Sequence, residues 1–159
     1  MNLDLTVDIS VGGQAFKGSI KDVLHINEAT LTDEFIKQPS LYAWFAAVAE
    51  IANAELESKK LKLSVLQSNL DAEVRSELAK TNEKATESKI SSIVHCDKRV
   101  VVLNEEIIES ARQLGILKAM VRSLEQRCTM LVQIGGMKRQ EISLGDFGIN
   151  YKKVKENNS

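Results

Sequence analysis

The feature that most constrains this chain is the stretch of residues 40–80, which contains neither glycine nor proline and is rich in Ala, Leu, Glu, Lys and Ser. Its apolar residues lie mostly three or four positions apart, the spacing of one helix face. They are Leu41, Trp44, Phe45, Val48, Ile51, Leu56, Leu63, Leu66, Leu70, Val74 and Leu78. At 1.5 Å per residue this helix is roughly 60 Å long, so one small globule cannot surround it.

A second long helix is predicted by the clearest pattern in the chain. Apolar residues alternate between three-residue and four-residue steps, as in a coiled-coil heptad, and Ser110 is the one polar member. The series is Val100, Leu103, Ile107, Ser110, Leu114, Leu117, Val121, Leu124, Cys128 and Leu131. Asp97 is the expected N-cap, and Gly135-Gly136 is expected to end the helix.

The segment between the two long helices predicts a turn back. Thr81-Asn82 interrupts the first pattern, and Thr86 with residues 89–94 predicts a short helix. The short connection between the two long helices favours an antiparallel helical hairpin, because a hairpin buries more surface than two diverging helices.

Both long helices also carry apolar residues away from their main face. These residues are Leu61, Val65, Val101, Ile108, Ile116, Met120 and Met130. Because two helices cannot cover two apolar stripes each, we expect this surface to pack against other copies of the chain. Ile108, Ile116, Met120 and Met130 are the predicted oligomer interface.

The N-terminal residues follow a strand pattern. Leu3, Leu5, Val7 and Ile9 alternate with polar residues, Gly12-Gly13 supplies a turn, and residues 15–20 predict a second strand.

Pro39 and Ser40 are expected to mark the start of the first long helix. We therefore divide the chain into an acidic β-hairpin arm (1–38), a helical-hairpin core that oligomerises (39–142) and a basic, flexible tail (143–159). The predicted fold class is mainly α, with two long antiparallel helices, a short connecting helix and a small N-terminal β-hairpin.

Composition excludes several classes of protein. One proline and 4% aromatic residues argue against a β-sandwich or barrel, and 21 basic against 22 acidic residues argue against a strongly basic nucleic-acid-binding domain. Cys96 and Cys128 fit a reducing compartment without disulfides. No signal peptide or membrane span is visible, so we expect a soluble, cytoplasmic protein that does not enter a membrane.

No catalytic or metal-binding pattern stands out. His95, Cys96 and Asp97 are adjacent, but neighbours on a helix point about 100° apart and cannot easily share one ion. Gly12-Gly13 lacks the lysine and helix of a phosphate-binding loop. We expect no enzyme activity, no metal and no cofactor.

Basic residues form three local groups along the sequence. They are Lys59, Lys60 and Lys62; Arg75 and the basic residues around the connection; and Lys138 and Arg139 with Lys152, Lys153 and Lys155. A single group of this kind is usually a solvated face. Repeated around an oligomer, however, it can bind phosphates, because affinity grows with the number of neutralised charges.

Several short motifs resemble one family. Leu41-Tyr42-Ala43-Trp44, Lys59-Lys60, Leu70-Asp71 and the stretch 127–139, with residues 131–135 reading Leu-Val-Gln-Ile-Gly, are similar to phage recombination mediator proteins of the UvsY type over residues 30–142. The resemblance implies a ring-shaped, heptameric homo-oligomer that acts in DNA recombination and repair. Such a protein binds single-stranded DNA and helps a RecA-like recombinase displace single-strand-binding protein, without catalysing a reaction.

The chain departs from the family at one point. The family's basic residues just before Leu-Asp are Gln67 and Asn69 here, and neither can neutralise a phosphate. We therefore assign the DNA contact to other basic residues, namely Lys59, Lys60, Lys62, Arg75, Lys138 and Arg139. Tyr42, Trp44 and Phe45 are interpreted as a hydrophobic anchor of the helix end and not as a platform for stacked bases.

A different class of protein fits the same pattern. A structural or assembly protein of a phage, such as a scaffold, would use the helical hairpin only to oligomerise. The balanced charge and the few aromatic residues favour this alternative. A small antitoxin-like regulator is a third option, but no recognition helix after a tight turn supports it.

Overall fold

The computed structural model describes residues 5–80 and 86–156, with side chains as far as residue 144. It contains strands β1 (Thr6–Val11) and β2 (Gln14–Ser19), helix α1 (Ile20–Leu24), a 3-10 turn (Glu28–Thr30), and helices α2 (Leu31–Lys80), α3 (Glu87–Cys96) and α4 (Lys98–Glu156). The mainly helical fold with an N-terminal β-hairpin is therefore confirmed. Leu3 and Thr81-Asn82, used in the predictions above, lie outside the described residues.

The chain forms two compact units. Of the described residues, the first contains 5–7, 18–45 and 120–156, and the second contains 8–17, 46–80 and 86–119. Each unit includes a part of α2 and a part of α4.

In the second unit α2 and α4 run antiparallel. Lys59 on α2 lies beside Ser110 on α4, and Glu73, further along α2, lies beside Arg99, which is earlier on α4. One core cluster of this unit joins three helices and consists of Leu70, Val74, Leu78, Ile90, Val94 and Val100. The predicted hairpin and short connecting helix are both present.

The expected N-cap of α4 is present, and α3 has an N-cap of its own. The Thr86 hydroxyl accepts a hydrogen bond from the Lys89 amide at the start of α3. An Asp97 carboxylate oxygen accepts one from the Arg99 amide at 2.8 Å, at the start of α4. Each cap satisfies an amide that would otherwise lack a partner within its helix.

The β-hairpin has the predicted alternation, since Val7, Ile9 and Val11 of β1 are buried and the residues between them are exposed. At the turn, the Gly12 amide donates to Glu55 on α2 at 2.9 Å. Gly12 has φ +56°, and a Cβ there would lie 2.5 Å from Ile51 Cγ2. Only glycine allows this conformation and this approach to α2.

The first unit also pairs α2 with α4 in antiparallel fashion. The Gln38 side chain reaches the Leu124 carbonyl, and Phe35, earlier on α2, packs beside Gly135, later on α4. Phe45 is buried, and Trp44 meets it edge to face with ring centroids 4.8 Å apart. These two rings therefore belong to the packing of the helix end, as predicted.

The predicted start of the first long helix is wrong. Helix α2 begins at Leu31, and Pro39 and Ser40 lie inside it. Proline removes one amide donor from the helix. The preceding turns are held by their contacts with α4, since Gln38 is buried and hydrogen-bonded to both Leu124 and Arg127.

The predicted end of the second long helix is also wrong. Helix α4 passes through Gly135-Gly136 and continues to Glu156. Gly135 is buried beside the Phe35 ring, and a Cβ there would lie 2.9 Å from Phe35 Cζ. The glycine therefore serves close packing and not helix termination. The division into arm, core and tail stays a prediction.

The inward face of α4 shifts by one position in the first unit. The buried residues there include Met120, Leu124, Arg127 and Leu131. A strict seven-residue repeat predicts Cys128 in the core, but Cys128 is exposed. The buried positions step by three residues twice in succession, from Leu114 to Leu117 and on to Met120. This moves the inward face one position earlier, so Arg127 occupies it instead of Cys128.

Candidate nucleic-acid interface

Lys59 lies between the two long helices in the second unit. Its ammonium donates to the Ser110 hydroxyl at 2.8 Å and is 3.9 Å from a Glu106 carboxylate oxygen, and the side chain is only 30% exposed. This contact explains why Ser110 is the one polar member of the apolar series of α4. Lys59 is therefore largely used in helix pairing.

Lys60 and Lys62 are more accessible than Lys59. Lys60 pairs with Glu57 at 2.8 Å on the helix surface, and Lys62 is exposed and has no ion pair within the described residues. At about 100° per residue these two side chains leave α2 in nearly opposite directions. The three lysines are therefore adjacent in sequence without forming one patch, and a single phosphate cannot bridge Lys60 and Lys62 of one chain.

Arg75 is engaged by two carboxylates. Its guanidinium donates to Asp71 at 2.6 Å and to both oxygens of Glu87 at 2.7 and 2.9 Å, which links α2 to α3. The bidentate guanidinium lowers the pKa of Glu87 and the two carboxylates raise that of Arg75. Because its charge is already compensated, Arg75 is poorly placed to bind a phosphate.

The basic residues predicted near the end of α4 divide in the same way. Lys138 is 3.7 Å from both Glu28 and Glu141, whereas Arg139 is exposed and makes no ion pair within the described residues. The tail lysines Lys152, Lys153 and Lys155 lie outside the described side chains. Among the predicted DNA contacts, Lys60, Lys62 and Arg139 are the most available.

The predicted oligomer interface is only partly at the surface. Ile108 is 69% exposed and Met130 52% exposed, while Ile116 is half-buried. Met120 is 1% exposed and belongs to the core of its own chain, so its assignment to the interface is wrong. The shift of the inward face of α4 explains the error.

The connecting helix carries His95 and Cys96, which the sequence places next to Asp97. His95 Nδ1 lies 2.7 Å from the Ser91 carbonyl oxygen, the geometry of a hydrogen bond to its own helix. Cys96 is exposed and unpaired. Within residues 5–80 and 86–144, no group of three His, Cys, Asp or Glu side chains is placed to hold a metal ion.

Sequence reasoning missed the central residue of the first unit, Arg127, whose side chain is 4% exposed. Its guanidinium donates to Glu34, to the Gln38 side-chain oxygen and, at 3.0 Å, to the His25 carbonyl. It therefore joins α4 both to α2 and to the segment before α2. The available signal in the sequence was that Arg127 lies one position before Cys128, a member of the predicted apolar series of α4.

Hydropathy gives one further result for the described part of the chain. No helix there has a segment long and apolar enough to cross a membrane.

These elements define a class of fold with long antiparallel helices, a short connecting helix and a small N-terminal β-hairpin. The fold is similar to crystal structures of the bacteriophage T4 recombination mediator protein UvsY. For one lattice type the TM-score is 0.62 at 13% sequence identity, covering 77% of this chain and 92% of that chain. For another the TM-score is 0.61 at 14% identity, covering 77% and 95%.

The similarity lies in the structure. No protein-family model and no curated protein sequence matches the chain. The resemblance first noted in short motifs is thus confirmed for the fold.

Proposed function

We propose that this protein is a recombination mediator of the phage type. It binds single-stranded DNA as a homo-oligomer and helps to load a RecA-like recombinase by displacing single-strand-binding protein, without catalysing a reaction. The observation that carries this proposal is the similarity of fold, over 77% of the chain, to the T4 recombination mediator protein.

The proposed DNA contact is electrostatic. Phe45 is buried and Trp44 packs against it, so these two rings are not free to stack on bases. Lys60, Lys62 and Arg139 are exposed cations whose effect is multiplied when several copies of the chain surround an axis. Binding of this kind depends strongly on salt and weakly on DNA sequence.

Charge reversal tests the assignment of these residues. We expect Lys62→Glu and Arg139→Glu each to weaken binding of a fluorescein-labelled oligo-dT, measured by anisotropy at two salt concentrations. Each lost phosphate contact makes the slope of log K against log salt shallower by about 0.7 for a single strand. Lys37→Glu, an equal charge change at another exposed lysine, is the matched control and leaves the slope unchanged.

A Lys152→Glu, Lys153→Glu double variant completes this experiment. If it abolishes binding while Lys62→Glu and Arg139→Glu bind like the wild type, the DNA contact belongs to the tail and the assignment to the helices is wrong. Light scattering on every variant separates loss of DNA binding from loss of assembly.

The second candidate function is a phage assembly protein without a DNA-binding role. It is favoured by the formal net charge of −1 and by exposed apolar residues such as Leu61, Val65 and Ile108, which suit an interface between copies. Such a protein would oligomerise equally well and have no affinity for DNA that falls with salt.

A further inference from the structure

The first unit contains an apolar groove whose lining residues are not among the proposed DNA contacts, although Arg139 lies beyond one of its ends. It is formed by Gln38, Pro39 and Tyr42 of α2 and by Glu125, Cys128, Thr129, Val132 and Gln133 of α4, and its volume is about 710 Å³. We use the term apolar groove for this set of residues. A cavity of this size can hold several side chains of a ligand.

Most polar groups in the walls of the apolar groove already have partners. The Gln38 amide donates to the Leu124 carbonyl at 2.6 Å, and its oxygen accepts from Arg127. The Tyr42 hydroxyl donates to Glu125 at 3.2 Å, which raises the pKa of Tyr42. The Thr129 hydroxyl donates to the Glu125 carbonyl at 3.3 Å. The surface left for a ligand is therefore mainly apolar, provided by Pro39, Val132 and the Tyr42 ring.

Two arginines flank the apolar groove on α4. At about 100° per residue, Arg122 and Arg139 lie within roughly 60° of the direction shared by the α4 residues of the groove, and they are about 25 Å apart along the helix. Both are exposed, and neither makes an ion pair within the described residues. The groove thus has an apolar centre and a free cation near each end.

This arrangement selects among charged ligands. A nucleic acid strand that reached both arginines would place several phosphates along an apolar wall whose one charged lining residue is the carboxylate of Glu125. A protein helix can instead place apolar side chains in the groove and carboxylates only at its ends. The charge pattern therefore favours a protein ligand.

We propose that the apolar groove binds an amphipathic helical segment of a protein partner, with an apolar stripe facing the groove and acidic residues at both ends. At 1.5 Å per residue, a helix of about 18 residues spans the two arginines. The inference rests on the proposed function for its biological meaning, because a mediator must contact proteins as well as DNA. Its test does not require DNA binding.

Cys128 provides a direct readout, because its free thiol lies in the wall of the apolar groove. Cys96, also exposed and free, belongs to the second unit and serves as an internal reference. Alkylation of both cysteines by iodoacetamide is followed by mass spectrometry. The probe is a synthetic 18-residue helix with a leucine stripe and glutamates at both ends, and a matched peptide carries lysines in place of the glutamates.

We expect the glutamate peptide, at about ten times its Kd, to slow alkylation of Cys128 roughly tenfold and to leave Cys96 unchanged. The lysine peptide and an oligo-dT should not slow it. Arg122→Glu and the exposed Val132→Glu should abolish protection, whereas Lys37→Glu should retain it. Circular dichroism confirms that each variant is folded.

Three results would overturn the proposal. They are no protection by the glutamate peptide, equal protection by the lysine peptide or by oligo-dT, and protection of Cys128 that rises with protein concentration alone, which would identify a second copy as the occupant. Anisotropy with oligo-dT on the same variants keeps the two proposals separate. Peptide protection without any DNA binding would refute the proposed function and leave this inference standing.

Discussion

Replacing Arg127 by methionine is expected to lower the free energy of unfolding by about 3–5 kcal/mol, the usual cost of removing one partner from a buried ion pair. Methionine keeps much of the side-chain volume but leaves the Glu34 carboxylate and the Gln38 oxygen without their donor. Equilibrium urea unfolding, followed by circular dichroism, measures the change.

Two further variants make this result specific. Arg112→Met removes an exposed pair, in which Arg112 is 53% exposed and 2.6 Å from Glu109, and should leave the free energy of unfolding almost unchanged. Adding Glu34→Gln to Arg127→Met should recover part of the loss, because the unpaired charge disappears. If Arg127→Met is as stable as Arg112→Met, the buried network does not hold the first unit together.

Leu117→Asp is expected to prevent folding. Leu117 is 0% exposed, and burial of an unpaired carboxylate there should cost more than about 4 kcal/mol. Loss of the helical circular dichroism signal in purified protein would show it. A Leu117→Ala variant, destabilised by about 2–5 kcal/mol, tests the same packing without a charge.

The neighbouring Ile116→Asp is the matched control. Ile116 is only half-buried and lies beside the main seam. We expect this variant to remain folded and to form smaller assemblies than the wild type by light scattering. An unchanged mass would mean that Ile116 lies outside the interface between copies.

The sequence was sufficient to predict the elements that depend on local patterns. The spacing of apolar residues predicted both long helices, and Asp97 acts as the expected N-cap of α4. The alternation in β1 likewise predicted its buried face. These features depend on residues close together in the chain, so periodicity and capping chemistry were enough.

The errors arose where tertiary contacts outweigh local preference. Pro39 lies inside α2, where the neighbouring Gln38 is hydrogen-bonded to α4, and Gly135 lies inside α4, where it packs against the Phe35 ring. Neither contact can be read from sequence, since the partners are far apart in the chain. The same limit explains why the prediction placed Cys128 in the core and Met120 at the surface. The inward face of α4 moves by one position in the first unit, so Met120 is buried and Cys128 is exposed.

The candidate site was predictable only as a set of basic residues. No pattern in the sequence indicates that Lys59 donates a hydrogen bond to Ser110. Nor does any pattern indicate that Arg75 pairs with Glu87 as well as with Asp71. It also grouped Lys60 with Lys62, although helix geometry turns them apart. Availability to phosphate therefore depends on partners that only the fold brings together.

The central claim, that this protein acts on single-stranded DNA as a recombination mediator, is tested most directly by a salt titration of the wild-type chain. Anisotropy of a labelled oligo-dT is measured from 50 to 200 mM salt, with duplex DNA of equal length for comparison. We expect binding whose log K falls linearly with log salt, at about 0.7 per neutralised phosphate for a single strand. An oligomer that shows no affinity for the single strand at the lowest salt would contradict this claim and favour the assembly protein instead.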